Sequence, residues 1–166
     1  MSESSTLVTR GAAFILGDDV NTDINCSNKY LPGKDIAYVA AHAFDALAPT
    51  IASDIAAAGG GILVAGDHFG INSSREQAVH ILRRMGVSAI VAPSFGRQFF
   101  RNAINNGLPV LECDIAGLAD GDDIAIDLAA PALQVPAKQI QRPLGAVPQA
   151  IRAILHEGGL IPFLKK

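Results

Sequence analysis

Ser73-Ser74-Arg75-Glu76 follows a glycine-flanked loop, Gly66-Asp67-His68-Phe69-Gly70-Ile71-Asn72. Glycine lets a backbone turn sharply, and a serine placed just before a helix can cap it. The free N–H groups of a helix's first turn favour an anion, and an arginine adds a bidentate grip on a carboxylate. Together these residue types describe a carboxylate or phosphate pocket. A serine there can work in two ways. As a nucleophile it needs a base, for which His68 and His80 qualify by type. As a proton-transfer group it needs its alkoxide stabilised, which helix N–H groups and Arg75 would do. Ser73 with Glu76 also fits the Ser-x-x-Glu capping box, a purely structural use of the same residues. The loop is not a Walker motif or a full dinucleotide fingerprint, nor a Gly-x-Ser-x-Gly elbow.

A second group of chemical side chains lies in the long polar segment from 18 to 34, where Asp18, Asp19 and Asp23 cluster. Asp23 could orient a histidine or a serine; Asx turns and caps are the structural alternative. Arg97 and Arg101 stand four apart and could reach the same edge as Arg75, or line a solvated helix face. The histidines, His42, His68, His80 and His156, are scattered and none has metalloprotease spacing. Cys26 and Cys113 are far apart, so they neither form a Cys-x-x-Cys pair nor suffice for an iron–sulfur or structural zinc site. Cys113, in an apolar stretch, reads as a buried free thiol.

These residues need elements to hold them. Apolar runs predict strands at 12–16, 62–65, 87–92 and 108–113. Between them, helices are expected at about 35–45, 49–57, from 73 or 74 to 85, and 96–106, the third carrying Ala78, Ile81, Leu82 and Met85 as its buried stripe. Strand–helix–strand–helix–strand over 62–113 is the signature of parallel βαβ units. Loops at one edge of such a sheet commonly bind ligands. Beyond it, 123–128 alternates as a half-buried strand, short β segments follow near 133–135 and 138–141, and a helix closes at about 145–156. The expectation is an α/β fold, with a parallel βαβ core and a β rim, in a single domain over residues 1–166.

Composition narrows the function. A 166-residue chain that is 49% hydrophobic can bury a core. A net charge of −3 argues against a nucleic-acid protein. The longest apolar runs fall far short of the ~20 residues that a membrane span needs. With no basic segment preceding an apolar run at its start, the chain is expected to be soluble and cytoplasmic.

Five segments converge on one family: Gly17-Asp18-Asp19-Val20-Asn21-Thr22-Asp23, Tyr30-Leu31-Pro32-Gly33, Gly66 through Glu76, Ile90-Val91-Ala92-Pro93-Ser94-Phe95, and Asn105-Asn106-Gly107-Leu108-Pro109-Val110. Over about residues 11–160 the chain resembles the small subunit of 3-isopropylmalate dehydratase, the swivelling domain of the aconitase superfamily occurring as a separate chain. The resemblance implies a swivelling β/β/α fold and a hydro-lyase active only with a large subunit, as heterodimer or heterotetramer. It implies that this chain binds no cofactor and no metal, and that the large subunit carries a [4Fe-4S] cluster acting as Lewis acid on a leaving hydroxyl. The substrate would be a small dicarboxylate, isopropylmalate in leucine biosynthesis. Dimethylmalate, methylmalate or citraconate, homoaconitate and maleate dehydratases share the architecture, and a non-catalytic anion-binding domain is the alternative from another class.

Residue by residue, the resemblance makes Ser73 the base that removes the proton alpha to a carboxylate. Asp23 takes part in acid/base chemistry at the leaving hydroxyl. Ser74 and Arg75 contact a substrate carboxylate, and Tyr30, Leu31, Pro32 and Gly33 belong to the substrate-selecting loop. This sequence departs from the family pattern at Ile71 and Asn72, where Cys-Gly is usual, and at Gln77, where a histidine is usual.

Overall fold

The computed structural model describes residues 8–26, 33–73 and 75–166. One mixed sheet organises them. Its strands are β1 (Val8–Ile15), β2 (Gly61–Val64), β3 (Val87–Ala92), β4 (Val110–Glu112), β5 (Asp123–Asp127), β6 (Ala132–Val135) and β7 (Ile140–Pro143). Their order across the sheet is β4-β3-β2-β1-β5-β6-β7. The first four are parallel to one another, and β5, β6 and β7 add on as an antiparallel meander. The parallel core and β rim expected from the sequence are both present.

β1 joins the two halves. Its first part, Val8–Ala12, pairs antiparallel with β5, and its last part, Ala13–Ile15, pairs parallel with β2. The apolar run at 12–16 marks only the part of β1 beside the buried core. The earlier residues are more exposed and polar, so the strand begins before the predicted boundary. β2 and β3 are almost continuously buried, as strands covered on both faces must be. β5 alternates, with Ile124 and Ile126 buried and Asp123 exposed.

The helices are α1 (Thr22–Cys26), α2 (Ile36–Ala41), α3 (Ile51–Ala57), α4 (Gln77–Met85), α5 (Arg97–Asn105), α6 (Gln149–His156) and α7 (Leu160–Leu164). α2 starts as expected, with the Asp35 carboxylate accepting the Tyr38 N–H at 2.8 Å. α4 packs against α1, α2, α3 and β3, burying Ala78, Ile81, Leu82 and Met85 as its spacing predicts. It ends at Gly86 in a left-handed conformation. α5 packs against β4 and the two C-terminal helices. The long polar segment from 18 to 34 contains α1, and the chain after Gly159 forms α7. No helix among the described residues is long and apolar enough to cross a membrane.

The turn into β5 carries an electrostatic tie to the rim. Asp122 accepts from the Lys138 ammonium at 2.7 Å and from the Ala119 N–H at 2.8 Å. These bonds, the lysine first, hold its carboxyl below the ordinary value near 3.8. A depressed carboxyl contributes stability that is complete above its unfolded pKa and is lost as pH falls through its folded pKa. Asp122→Asn is therefore expected to lower the urea midpoint at neutral pH and to match the unsubstituted chain at about pH 2. A gap that persists at the lower pH would remove the assignment.

Candidate active site

Parallel neighbours end at the same sheet edge, so the segments leaving β1, β2 and β3 meet there. The loop after β2 is fixed to both of the others. On the β1 side, Gly66 N–H donates to the Gly17 carbonyl at 3.1 Å and Gly70 N–H to the Val20 carbonyl at 2.8 Å. Asp67 N–H donates to the Asp18 carboxylate at 2.8 Å. On the β3 side, Phe69 N–H donates to the Ser94 carbonyl at 3.1 Å, and Gly96 N–H returns a bond to the Phe69 carbonyl at 2.9 Å. His68 N–H donates to the Ser94 hydroxyl at 2.9 Å.

Phe69 anchors the loop from beneath. It is fully buried and meets Phe99 edge-on, with ring centroids 5.2 Å apart. Gly70 sits directly over Phe99, and a Cβ there would lie 2.4 Å from the Phe99 Cγ. Gly66 is held as closely from the other side, since a Cβ would fall 1.8 Å from the Asp18 carboxylate oxygen. Asn72 has φ of 57°. Asparagine is among the non-glycine side chains that adopt this left-handed conformation most readily. It serves where the family pattern has glycine.

These ties deliver Ser73. Its side chain is only 3% exposed, and its N–H donates to the Gly70 carbonyl at 3.1 Å. Its Oγ accepts the backbone N–H of Thr22 at 3.0 Å and shares a second, short hydrogen bond with the Thr22 hydroxyl. Ser73 therefore does not cap α4, contrary to the capping-box expectation. The helix starts at Gln77, and Glu76 at its N-cap makes no side-chain capping bond. The N–H groups of Ala78 and Val79 are bonded to the Arg75 and Glu76 carbonyls. The Glu76 carboxylate accepts instead from the Asn106 side chain at 2.8 Å. The partners of Ser73 Oγ come from Thr22, across the chain, rather than from the helix that follows.

Thr22 is fully buried and opens α1. The Asn21 side-chain oxygen accepts the N–H groups of Asp23 and Ile24 at 3.0 and 3.3 Å. The N–H of Thr22 is thereby left to point at Ser73. Thr22 was not singled out from the sequence. The asparagine just ahead of it, an N-cap residue type, is the signal that a short helix begins there.

Asp23 is half-buried on α1, next in sequence to Thr22, which ties it to the Ser73 side of the edge. Cys26, on the same helix, has its thiol pushed far up by burial and further by the Asp23 charge. It stays a neutral thiol and offers no thiolate. Cys113 is raised by burial as well. Among the described residues no His, Cys, Asp and Glu side chains group as a metal site, and the two buried thiols do not fit a [4Fe-4S] cluster.

Arg75 is exposed, two residues past Ser73. Gly33 is exposed with φ of 93°. Ser74, Tyr30, Leu31 and Pro32 lie outside the described residues. Arg97 and Arg101 line a separate depression with Phe95, Phe100 and Glu112. Of the histidines considered as bases, His68 pairs through Nδ1 with the Asp19 carboxylate at 2.9 Å, and His80 is exposed on α4. Neither hydrogen-bonds Ser73 among the described residues, which leaves a serine-hydrolase dyad without geometry.

Comparison with known proteins shows the family. Residues 34–115 match the aconitase C-terminal domain family. The chain is 38% identical to the 3-isopropylmalate dehydratase small subunit 1 of Archaeoglobus fulgidus, across 93% of this chain and 96% of that one. It is 42% identical to the corresponding small subunit of Pyrobaculum neutrophilum, across 94% and 96%. This chain belongs to the 3-isopropylmalate dehydratase small-subunit family. The crystal structure of the 3-isopropylmalate dehydratase from Methanocaldococcus jannaschii superimposes with a TM-score of 0.87 at 34% identity, covering 96% of this chain and 94% of that one. The mixed sheet and flanking helices are thus those of the aconitase-superfamily swivelling domain.

Within that family architecture, the Gly66–Asp18 contact ties the loop after β2 to the segment after β1. Gly66→Ala should destabilise the chain by about 2–3 kcal/mol, because the carboxylate cannot move without releasing the Asp67 N–H. Thermal unfolding measures the loss. Unaltered stability would mean that the loop closes without this contact.

Proposed function

We propose that the chain is the small subunit of a two-chain hydro-lyase that interconverts 2-isopropylmalate and 3-isopropylmalate by dehydration and rehydration in leucine biosynthesis. The observation that carries the reading is the buried Ser73 Oγ, held by the Thr22 N–H and the Thr22 hydroxyl in a loop rigidly tied to its neighbours. A general base must be oriented before the substrate arrives, and such a clamp orients it. The 3-isopropylmalate dehydratase small subunits, at 38% and 42% identity over nearly the whole chain, support the same substrate.

In this reading Ser73 removes the proton alpha to a substrate carboxylate during dehydration and returns a proton to carbon during rehydration. Asp23 assists acid/base chemistry at the hydroxyl that leaves and re-adds. Ser74 and Arg75 hold a carboxylate of the diacid; the exposed guanidinium can reach a ligand outside the sheet edge and bind it bidentately. Tyr30, Leu31, Pro32 and Gly33 form the loop that selects the substrate's side group. A large partner subunit carries the [4Fe-4S] cluster; among the described residues of this chain no such site forms.

The test is an anaerobic assay of this chain co-purified with its large subunit, following absorbance of the unsaturated diacid. Isopropylmalate should turn over only with both chains present. Preferential turnover of dimethylmalate, citramalate or homocitrate would keep the mechanism and replace the substrate. Ser73→Ala should lower kcat by about 10³-fold with the complex intact; wild-type turnover would sink its role as base. Arg75→Lys keeps the charge but loses the fork, so KM should rise on the order of tenfold with kcat little changed. An unchanged KM would place the substrate carboxylate elsewhere.

A further inference from the structure

We propose that Thr22 is a positioning residue that sets the proton affinity of Ser73, a role that rests on the reading of Ser73 as the base. Thr22 brings two groups to a single oxygen, its backbone N–H, which donates at 3.0 Å, and its side-chain hydroxyl, which can donate or accept. Both residues are buried, Thr22 completely and Ser73 to within 3% of full burial. An alkoxide in such a place loses nearly all its hydration, and an unpartnered one would be very costly. Two converging donors replace that water with fixed dipoles, and hydrogen bonds to an ionised oxygen are about twice as strong as neutral ones.

The proton bookkeeping closes over one catalytic cycle. In dehydration the Ser73 alkoxide takes the substrate's alpha proton: the C–H bond breaks, a serine O–H forms, and the electron pair enters the new carbon–carbon double bond as hydroxide leaves. In rehydration the Ser73 O–H gives its proton to carbon as hydroxide adds, and the alkoxide is restored. Thr22 exchanges no proton with the substrate. Its hydroxyl donates to Ser73 while that oxygen is an alkoxide, and can accept from Ser73 while it is a hydroxyl. A threonine hydroxyl can switch between these two roles by rotation. The N–H cannot switch, so it favours the alkoxide throughout the cycle.

The geometry that aims the N–H is local. Asn21 occupies itself with the N–H groups of Asp23 and Ile24, leaving that of Thr22 directed at Ser73. The opposite partner is fixed by the Gly70 N–H bond to the Val20 carbonyl at 2.8 Å, two residues before Thr22. The serine and its donors are thus parts of one braced unit.

The test uses the co-purified two-chain enzyme with isopropylmalate and three substitutions, Thr22→Val, Thr22→Ala and Thr22→Ser. Valine keeps the shape and the N–H but removes the hydroxyl. Loss of that donor should lower kcat by about 10²-fold, with KM within about threefold, and move the ascending limb of the kcat–pH profile to higher pH. The sign follows from the alkoxide losing a stabilising donor, which raises the pKa of Ser73. Serine should restore kcat to within about fivefold and return the limb to its place. Alanine reads the same limb if valine impairs assembly, which gel filtration monitors. A wild-type pH limb in the valine or alanine variant would overturn the proposal, as would equal losses in the serine and valine variants. Ser73→Ala separates the two levels. If it is inactive while Thr22→Val is unaltered, only the role of Thr22 falls; if it is active, the reading of Ser73 falls first.

Discussion

Everything at the candidate site depends on the lateral bracing of three segments that leave neighbouring parallel strands. β1, β2 and β3 run in one direction, so their following segments gather at one edge. Alignment alone would leave them as independent loops. Backbone bonds from Gly66 and Gly70 to Gly17 and Val20, and from Phe69 and Gly96 across to Ser94 and Phe69, convert them into one surface. Each bond satisfies a polar group that the turn would otherwise leave without a ladder partner. The same bonds fix the relative height of Thr22 and Ser73. Residues 51 apart in sequence can then share hydrogen bonds.

The edge is divided in polarity. Ser73, Thr22 and Phe69 are buried beneath it, while Arg75, Asp18, Asp19 and His68 face outward. A buried oxygen gains the most from fixed donors, because no water competes for it. An outward arginine keeps its reach. The Asp19–His68 pair, with both side chains more than 60% exposed, belongs to the solvated side and adds little stability. The chain therefore presents a rigidly held serine and an exposed arginine on one side of a site, an arrangement consistent with a small subunit that meets a second chain.

Much of this was legible in the residues. Apolar runs located β2 and β3 closely, because strands covered on both faces need little else to define them. Alternation located β5, and helical spacing picked out the buried face of α4. The Ser73 loop stood out through its glycines and its adjacent serines and arginine. The short α1 did not, since a five-residue helix has too few residues to show a period. The start of α4 was misplaced because Ser73 suits a cap by type, but its hydroxyl is committed to Thr22. That commitment is a tertiary contact, and local propensity holds no information about it. The departure at Asn72 has a local explanation, in that its left-handed φ demands either glycine or a residue like asparagine.

The dual pairing of β1 also governs the order in which the chain can assemble. β1 is made early yet lies in the middle of the sheet, with β2 on one side and β5 on the other. Arg10 meets Asp123, 113 positions further along the chain. During synthesis the parallel core can form as soon as β2, β3 and β4 have emerged, while Val8–Ala12 still offers an open row of backbone donors and acceptors. Only the late meander closes that edge. A nascent chain halted after β4 would thus hold a half-finished sheet with a free template for strand addition by another molecule. The C-terminal third, which contributes little to the Ser73 edge, shields the protein's own first strand from its neighbours.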